Sequence, residues 1–358
     1  MEFWNWTVSD ATRSREFARK AEALGWDGIG AGDSQSLTGD PYVFLALAAT
    51  VTEHLKLATS VTNPVTRHAA ATASSAFALQ SLSGGRMSVG IGRGDSALAH
   101  LGRAPARLRW FERYVEQLQA YLSGDPVPFD EFGIPDEAAP PATRLALADA
   151  PATSTIRWAD DLPKVNIEIA ATGPRVIEIA ARHADRVMLA VGANPERIAW
   201  GINIARKAAQ AAGRDVGSIS FGAYVNVTCH PDVAEGRELG RGSTGLFARF
   251  SSMYGEVAGP ANDDEKDVFR RLHKRYDMNA HGHQGGKQTT VLTDEFMNGY
   301  AIVGSAHHCV ERLLELSELG IEKFGVIGPD FVAQTPDALA ASDRFISEVA
   351  PALRRTQK

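Results

Sequence analysis

Cysteine is almost missing from this chain. Its 358 residues hold two, Cys229 and Cys309, in neither a CxxC nor a zinc spacing. That argues against a disulfide framework and for a reducing compartment, so a cytoplasmic protein is expected. Long apolar runs are missing as well. The most extended charge-free stretch of interest, residues 68–85, is full of Ser, Thr, Gln and Gly, which no membrane span tolerates in that density. The first residues, Met1-Glu2-Phe3-Trp4, lack the basic and apolar regions of a signal peptide. Basic surplus is also absent: 43 acidic against 37 basic residues give a net charge of −6, the wrong balance for gripping nucleic-acid backbones. No GxSxG, P-loop or Ser/His/Asp pattern occurs. The close histidine pairs, His281 with His283 and His307 with His308, lack HxxxH spacing and a carboxylate in ligand register, so no metal is expected.

What is present is a rhythm. Strand-like runs at residues 3–8, 27–31, 55–61, 87–91, 165–170, 186–191, 219–228 and 323–327 alternate with helix-length amphipathic stretches. The helices are expected at 11–24 (capped by Asp10), 41–52, 69–82, 105–122, 174–183, 195–212, 307–319 and 336–349. Eight strand–helix units predict a single closed (β/α)₈ barrel over 1–358, an open doubly wound sheet being the competitor. Two stretches break the rhythm, at about 124–163 and 231–300, and read as insertions. Both are expected to build the substrate pocket.

In a barrel, chemistry collects where strands end and loops begin. Those positions carry Asp33, the run Ser60-Val61-Thr62-Asn63, then Arg93-Gly94-Asp95-Ser96, Thr172-Gly173-Pro174, and Val191-Gly192. Glycines and small polar side chains let backbone amides approach a phosphate or a flat ring. Gly90-Ile91-Gly92-Arg93-Gly94 is spaced GxGxG and lacks the acidic residue that closes a dinucleotide unit, so it reads as a turn leaving a strand. Thr172-Gly173-Pro174 opens a helix, where free amides and the helix dipole favour an anion; a plain capped turn is the competing reading. Arg93 stands apart from its neighbouring arginines because it lies on the rim, placed to meet an anionic tail. Asp33 and Asp95 are candidates for acid–base work or for loop capping. His281, on the second insertion, is either a mouth-covering group or a solvated loop histidine.

The block from Leu57-Ala58-Thr59-Ser60-Val61-Thr62-Asn63-Pro64 through Leu82-Ser83-Gly84-Gly85-Arg86 to Gly90-Ile91-Gly92-Arg93-Gly94-Asp95-Ser96 resembles the bacterial luciferase-like superfamily, closest to its methylenetetrahydromethanopterin-reductase-like branch. Ala171-Thr172-Gly173-Pro174 and Ile302-Val303-Gly304-Ser305 fit the same pattern. The resemblance implies a (β/α)₈ barrel binding reduced FMN or the deazaflavin coenzyme F420 at the strand ends. It implies a non-prolyl cis peptide at Ser60-Val61, a phosphate-side role for Thr172-Gly173-Pro174, and polar groups of Asp95 and Ser96 near ring or substrate. It also implies a homodimer. One departure stands out: Asp33-Ser34-Gln35 occupies the place where many deazaflavin members carry Asp-His.

The candidate catalytic residues are therefore Asp33, Asp95 and His281. The candidate cofactor contacts are Ser60, Val61, Thr62, Asn63, Arg93, Gly94, Ser96, Thr172, Gly173, Pro174, Val191 and Gly192. The expected activity is hydride transfer between F420 and a small organic substrate. Two alternatives stay open: a monooxygenase using O₂ and reduced FMN delivered by a separate flavin reductase, and a non-catalytic binding protein on the same barrel.

Overall fold

Eight short parallel strands close into a ring in the computed structural model, which describes residues 1–159 and 161–356. Asp160, inside the first expected insertion, and Gln357 and Lys358 lie outside the described residues. The strands are β1 (Glu2–Thr7), β2 (Gly28–Ala31), β3 (Lys56–Thr62), β4 (Met87–Ile91), β5 (Asn166–Ala171), β6 (Arg186–Leu189), β7 (Ser220–Cys229) and β8 (Lys323–Ile327). Each pairs in parallel with the next, and β8 completes the circuit by pairing with both β7 and β1. The closed barrel, and not the open sheet, is what these eight units form.

The barrel closes because large interior side chains face glycines on neighbouring strands. A Cβ on Gly28 would come within 2.6 Å of the Trp4 indole, and one on Gly325 within 2.7 Å of the Tyr224 ring. Large and small residues thus fill the lumen in layers, as a packed core and not a pore. At the N-terminal end of the strands the filling is charged. Lys323 Nζ lies 2.7 and 2.9 Å from the two Glu168 oxygens, and Arg186 reaches Glu168 at 2.9 Å. Lys323 also sits 3.1 Å from the Trp4 ring centroid, and its burial draws the amine down to about 8. The strands' other faces, including Ile29, Leu57, Val89, Ile167 and Val187, pack fully buried under the helical layer.

Local sequence sets where the helices start and stop. Asp40 accepts the amides of Tyr42 and Val43 with Pro41 in the first turn, and Asn194 does the same for Glu196 and Arg197 ahead of Pro195. Several expectations shift. Asp10 does not cap the first helix; it holds Thr12, and the helix runs Ser14–Leu24. The helix expected from 105 begins at Leu108, preceded by a separate turn, Ser96–Ala99. β6 ends at Leu189, and a further short strand, Ile302–Gly304, pairs with the end of β7 outside the circuit.

The two irregular stretches differ in kind. Residues 124–163 hold a two-residue ribbon, Val127–Pro128 against Thr153–Ser154, and are largely exposed. Residues 231–300 form helices Val233–Ala248, Asp263–Arg275 and Asp294–Tyr300. Their Phe247, Phe269, Leu272, Phe296 and Tyr300 make a second hydrophobic cluster with Met188, Ala190 and Tyr224 of the barrel. No described helix is long and apolar enough to cross a membrane.

Candidate active site

A cavity of about 730 Å³ opens at the C-terminal ends of the strands. From the barrel it is lined by Asp33, Ser60, Val61, Asn63, Arg93, Gly94, Asp95, Ser96, Thr172 and Gly173, and from the stretch 231–300 by residues around 246–258 and 281–285, His281 among them. None of the described residues of 124–163 lines it, whereas the stretch expected as the second insertion does. The first stays largely exposed on the outside, with Phe129, Ile134, Leu145, Leu147 and Trp158 open to solvent.

Each lining group has a definite anchor. Asp33, 8% exposed at the end of β2, accepts a 2.7 Å hydrogen bond from Thr62 Oγ1. Burial raises its carboxyl above the ordinary range, and the Thr62 bond resists that rise. Ser34 and Ser96 share a 2.7 Å hydroxyl–hydroxyl bond, and Gln35 donates to the Ala97 carbonyl, so the β2 and β4 loops are tied together. The Ser60–Val61 peptide is cis, at the position the resemblance implied. Ser60 is held from two sides: its hydroxyl lies 3.0 Å from the Tyr224 phenol, and its carbonyl accepts the Trp6 indole N–H. Asn63 spends its side chain on the following turn, accepting the amides of Val65 and Thr66. Gly94 has φ +81°, which suits glycine, and a Cβ there would sit 2.9 Å from Leu98.

Arg93 donates to the carbonyls of Ala106 and Pro105 and stands 5.8 Å from the exposed Tyr254 ring. Thr172 bonds the Ala190 carbonyl, while the space in front of Gly173 is open: a Cβ there would meet nothing within 4 Å. Among the described residues no side chain caps the helix that follows, Pro174–His183; Pro174 has no N–H and the Val176 and Ile177 amides donate to the Gly173 carbonyl, which leaves the Arg175 amide in the first turn for a ligand.

The opposite wall carries a chain of polar contacts. Both terminal nitrogens of Arg249 donate to Asp95 Oδ1, one of them at 3.0 Å, and Asp95 Oδ2 has no partner among the described residues. Burial pushes the Asp95 carboxyl up, against the pull of the guanidinium. Arg249 lies 4.4 Å from the Tyr276 ring centroid, and the Tyr276 hydroxyl is 2.8 Å from His281 Nδ1. Burial, with Arg249 and His100 nearby, drives His281 down to about 4, so its imidazole is neutral at pH 7. Beside it runs an aromatic array: Trp6 stacks on Phe331 at 4.3 Å and meets Phe247 edge-on at 5.1 Å.

Four candidates do not line the cavity. Thr62 is fully buried and acts on Asp33. Pro174 starts the helix behind Gly173. Val191 is buried with its carbonyl on Arg197, and Gly192, at φ +83°, packs against Tyr300. Arg249, Tyr276, Tyr224 and the aromatic array were not among the sequence candidates. Tyr224 could have been found from strand periodicity; Arg249 carries no local signal. Potential metal ligands gather in one place among the described residues, Glu112, Glu116 and His183, away from the mouth and with Glu112 already bonded to Arg182.

A barrel with its cavity at the strand C-termini, backed by a bulged third strand, defines a class of enzymes whose loops carry the chemistry. Residues 4–323 match the luciferase-like monooxygenase family, and the chain belongs to it; it is an oxidoreductase of the flavin- or deazaflavin-dependent kind. It is 27% identical over 324 residues to a 5,10-methylenetetrahydromethanopterin reductase of Methanolobus tindarius, covering 88% of this chain and 90% of that one. Among solved structures it resembles the coenzyme F420-dependent tetrahydromethanopterin reductase of Methanopyrus kandleri, with a TM-score of 0.72 at 20% identity over 98% of this chain and 99% of that one. A long-chain alkane monooxygenase aligns with a TM-score of 0.63 at 17% identity, over 100% and 92% of the two chains.

Proposed function

We propose that this protein transfers a hydride between the deazaflavin coenzyme F420 and a small organic substrate, with the cofactor seated in the barrel-mouth cavity. The observation that carries the reading is the cradle between β3 and β5. Ser60, Val61 and Gly94 form one smooth side, and the open space before Gly173, with the uncapped helix behind it, suits an anionic tail. When bound, the deazaflavin supplies the carbon that gives or takes the hydride, chemistry no side chain here offers. The chain's own residues do the rest. Ser60, Val61 and Asn63 back the site, Ser96 and Arg93 border it, and Thr172 and Gly173 face the tail. Thr62, Pro174, Val191 and Gly192 support that rim from behind. Asp33 holds a proton more readily than a free aspartate and is the first choice for donor, with Asp95 and His281 across the cavity. The aromatic wall and the stretch 231–300 exclude water.

Ser34, standing where deazaflavin members carry histidine, favours a second reading: a monooxygenase using O₂ and reduced FMN brought by a separate reductase. Anaerobic titration of the purified chain with both reduced cofactors decides. Saturable binding of F420 supports the first reading; binding of FMN alone, with O₂ consumption on aeration, overturns it. In the same reading residues 1–358 are one barrel domain, with 124–163 and 231–300 as insertions, acting in the cytoplasm as a homodimer. A monomer by sedimentation velocity at micromolar concentration would refute the dimer.

A further inference from the structure

Resting on the site just proposed, and narrowing the part His281 plays there, we infer that His281 is a fixed hydrogen-bond donor that holds a carbonyl oxygen of the substrate through its Nε2–H. Tyr276 is the positioning residue that fixes it.

The two ring nitrogens of His281 have different surroundings. Nδ1 lies 2.8 Å from the Tyr276 hydroxyl. Nε2 has no hydrogen-bond partner among the described residues, yet it is not one of the polar atoms sealed away from solvent. Since His281 lines the cavity, Nε2 is the nitrogen a guest can reach. Burial, with Arg249 and His100 nearby, keeps the ring neutral at pH 7. A neutral imidazole carries one N–H, and the bond made at one nitrogen decides where it stands.

Which partner gives the proton in the Tyr276–His281 bond follows from acidity and from Arg249. A phenol releases its proton more readily than a neutral imidazole N–H does, so O–H···N is the stronger arrangement. The Arg249 guanidinium, 4.4 Å from the Tyr276 ring centroid, draws electron density from that ring. The phenol oxygen thereby becomes a poorer acceptor and its O–H a better donor. Tyr276 donates to Nδ1, and the ring proton stands on Nε2. Arg249 is in turn tied to Asp95, so the barrel rim holds the whole series in place. The carbonyl is the matching group because it can only accept, as the Nε2–H can only donate. His281 then polarises that oxygen without giving up its proton, which falls to the carboxyl of Asp33 or Asp95.

Two-bond ¹H–¹⁵N correlation spectra of the intact protein, labelled at histidine and recorded at pH 7, read the tautomer. The His281 signals are those absent from His281→Phe. Wild type should show a protonated Nε2 and a bare Nδ1, and Tyr276→Phe, with folding checked by circular dichroism, should average this with the Nδ1–H form. Acetophenone and its hydrocarbon isostere α-methylstyrene test the use of the N–H. The ketone should bind wild type about fivefold tighter than the isostere, and His281→Phe should bind the two alike. The proposal is overturned by the Nδ1–H tautomer in wild type, or by an unchanged tautomer in folded Tyr276→Phe. Equal or absent binding of the two probes to wild type overturns it too, as does a preference that survives His281→Phe. Should Tyr276→Phe not fold, the wild-type tautomer and the probe pair still decide. Failure to bind either reduced cofactor would sink the proposed function instead, and would leave the tautomer and the probe preference standing.

Discussion

Arg249→Met isolates one buried ionic contact between the stretch 231–300 and the barrel rim. In the wild type the Arg249 and Asp95 side chains are 8% and 18% exposed, and two guanidinium nitrogens converge on one carboxylate oxygen. Methionine fills much of the space and leaves Asp95 buried without a counter-ion. The carboxyl can escape by taking up a proton, and the cost of that step is set by how far the solution lies above the free value of 3.8. At pH 7, with about 1.36 kcal/mol per pH unit, the electrostatic loss is capped near 4 kcal/mol. Burial has already lifted Asp95 in the wild type, so the true figure falls below the cap. Losing the Arg249–Tyr276 stacking adds about 1 kcal/mol at any pH. The sum is a destabilisation of about 3 to 5 kcal/mol at pH 7, in the range found when buried pairs are broken. The sign of the pH dependence follows. In the variant the folded state holds a proton that the unfolded state releases, so the penalty shrinks as pH falls, to about 2 kcal/mol at pH 4.5. Asp95→Asn behaves differently, because the stranded guanidinium cannot discharge, and its penalty stays flat with pH. Urea denaturation from pH 4.5 to 7 reads all of this. A flat penalty for Arg249→Met would refute the reasoning, as would failure of the Arg249→Met/Asp95→Asn pair to recover stability at pH 7.

Thr62→Val removes the hydroxyl that stabilises ionised Asp33; a bond to a charged group contributes about 1.5–3 kcal/mol, so the Asp33 titration should move up by about 1–2 pH units. The matching limb of the kcat/KM profile should shift the same way, and Thr62→Ser should leave it in place. Arg197 makes four hydrogen bonds, to the Val191, Ala258 and Pro260 carbonyls and to Ser251 Oγ, and so pins the loop that walls the cavity. Arg197→Lys cannot reproduce that fork and should cost about 3 kcal/mol, with limited proteolysis cutting within 251–260 sooner than in wild type. Gly90→Ala would set a Cβ 2.1 Å from the Thr59 carbonyl oxygen, inside the β3–β4 seam. A loss of at least about 2 kcal/mol in thermal or urea unfolding is expected, and an unchanged midpoint would disprove the close approach.

The barrel was legible because its signals are local. A run such as Ile167–Ile169 is buried along its length, and Asp40-Pro41 or Asn194-Pro195 marks a helix start within two residues. The same holds for the rim: Ser60 lies near the end of its strand and Gly94 and Thr172 just past theirs, and strand ends are where a barrel keeps its loops. What could not be read is what depends on distance along the chain. Arg249 meets Asp95 across 154 residues, and Tyr224 meets Ser60 across 164. Periodicity constrains neither. Val191 and Gly192 show the converse error: they follow a strand as the others do, yet Gly192 turns away because its left-handed backbone hands the chain to Tyr300.

The residues placed by local rules, around β3, β4 and β5, form the side suited to a cofactor, and Ser60, Ser96 and Thr172 among them are hydrogen-bonded to neighbouring strands or loops of the barrel. Phe247 and His281, placed by long-range contacts, line the other side, and their stretch is held to the barrel by the Asp95–Arg249 pair and by the hydrophobic cluster with Met188, Ala190 and Tyr224. Substituting the second set should therefore change which molecules enter while leaving cofactor binding in place, and substituting the first should do the reverse. Phe250→Ala against Gly173→Ala compares the two directly: the former should weaken an apolar probe, whereas the latter, with open space for its methyl group and no strained backbone, should act on the cofactor's tail alone. Equal effects of both substitutions on both ligands would mean that the mouth is one undivided surface, and the separation of roles argued from its contacts would fail.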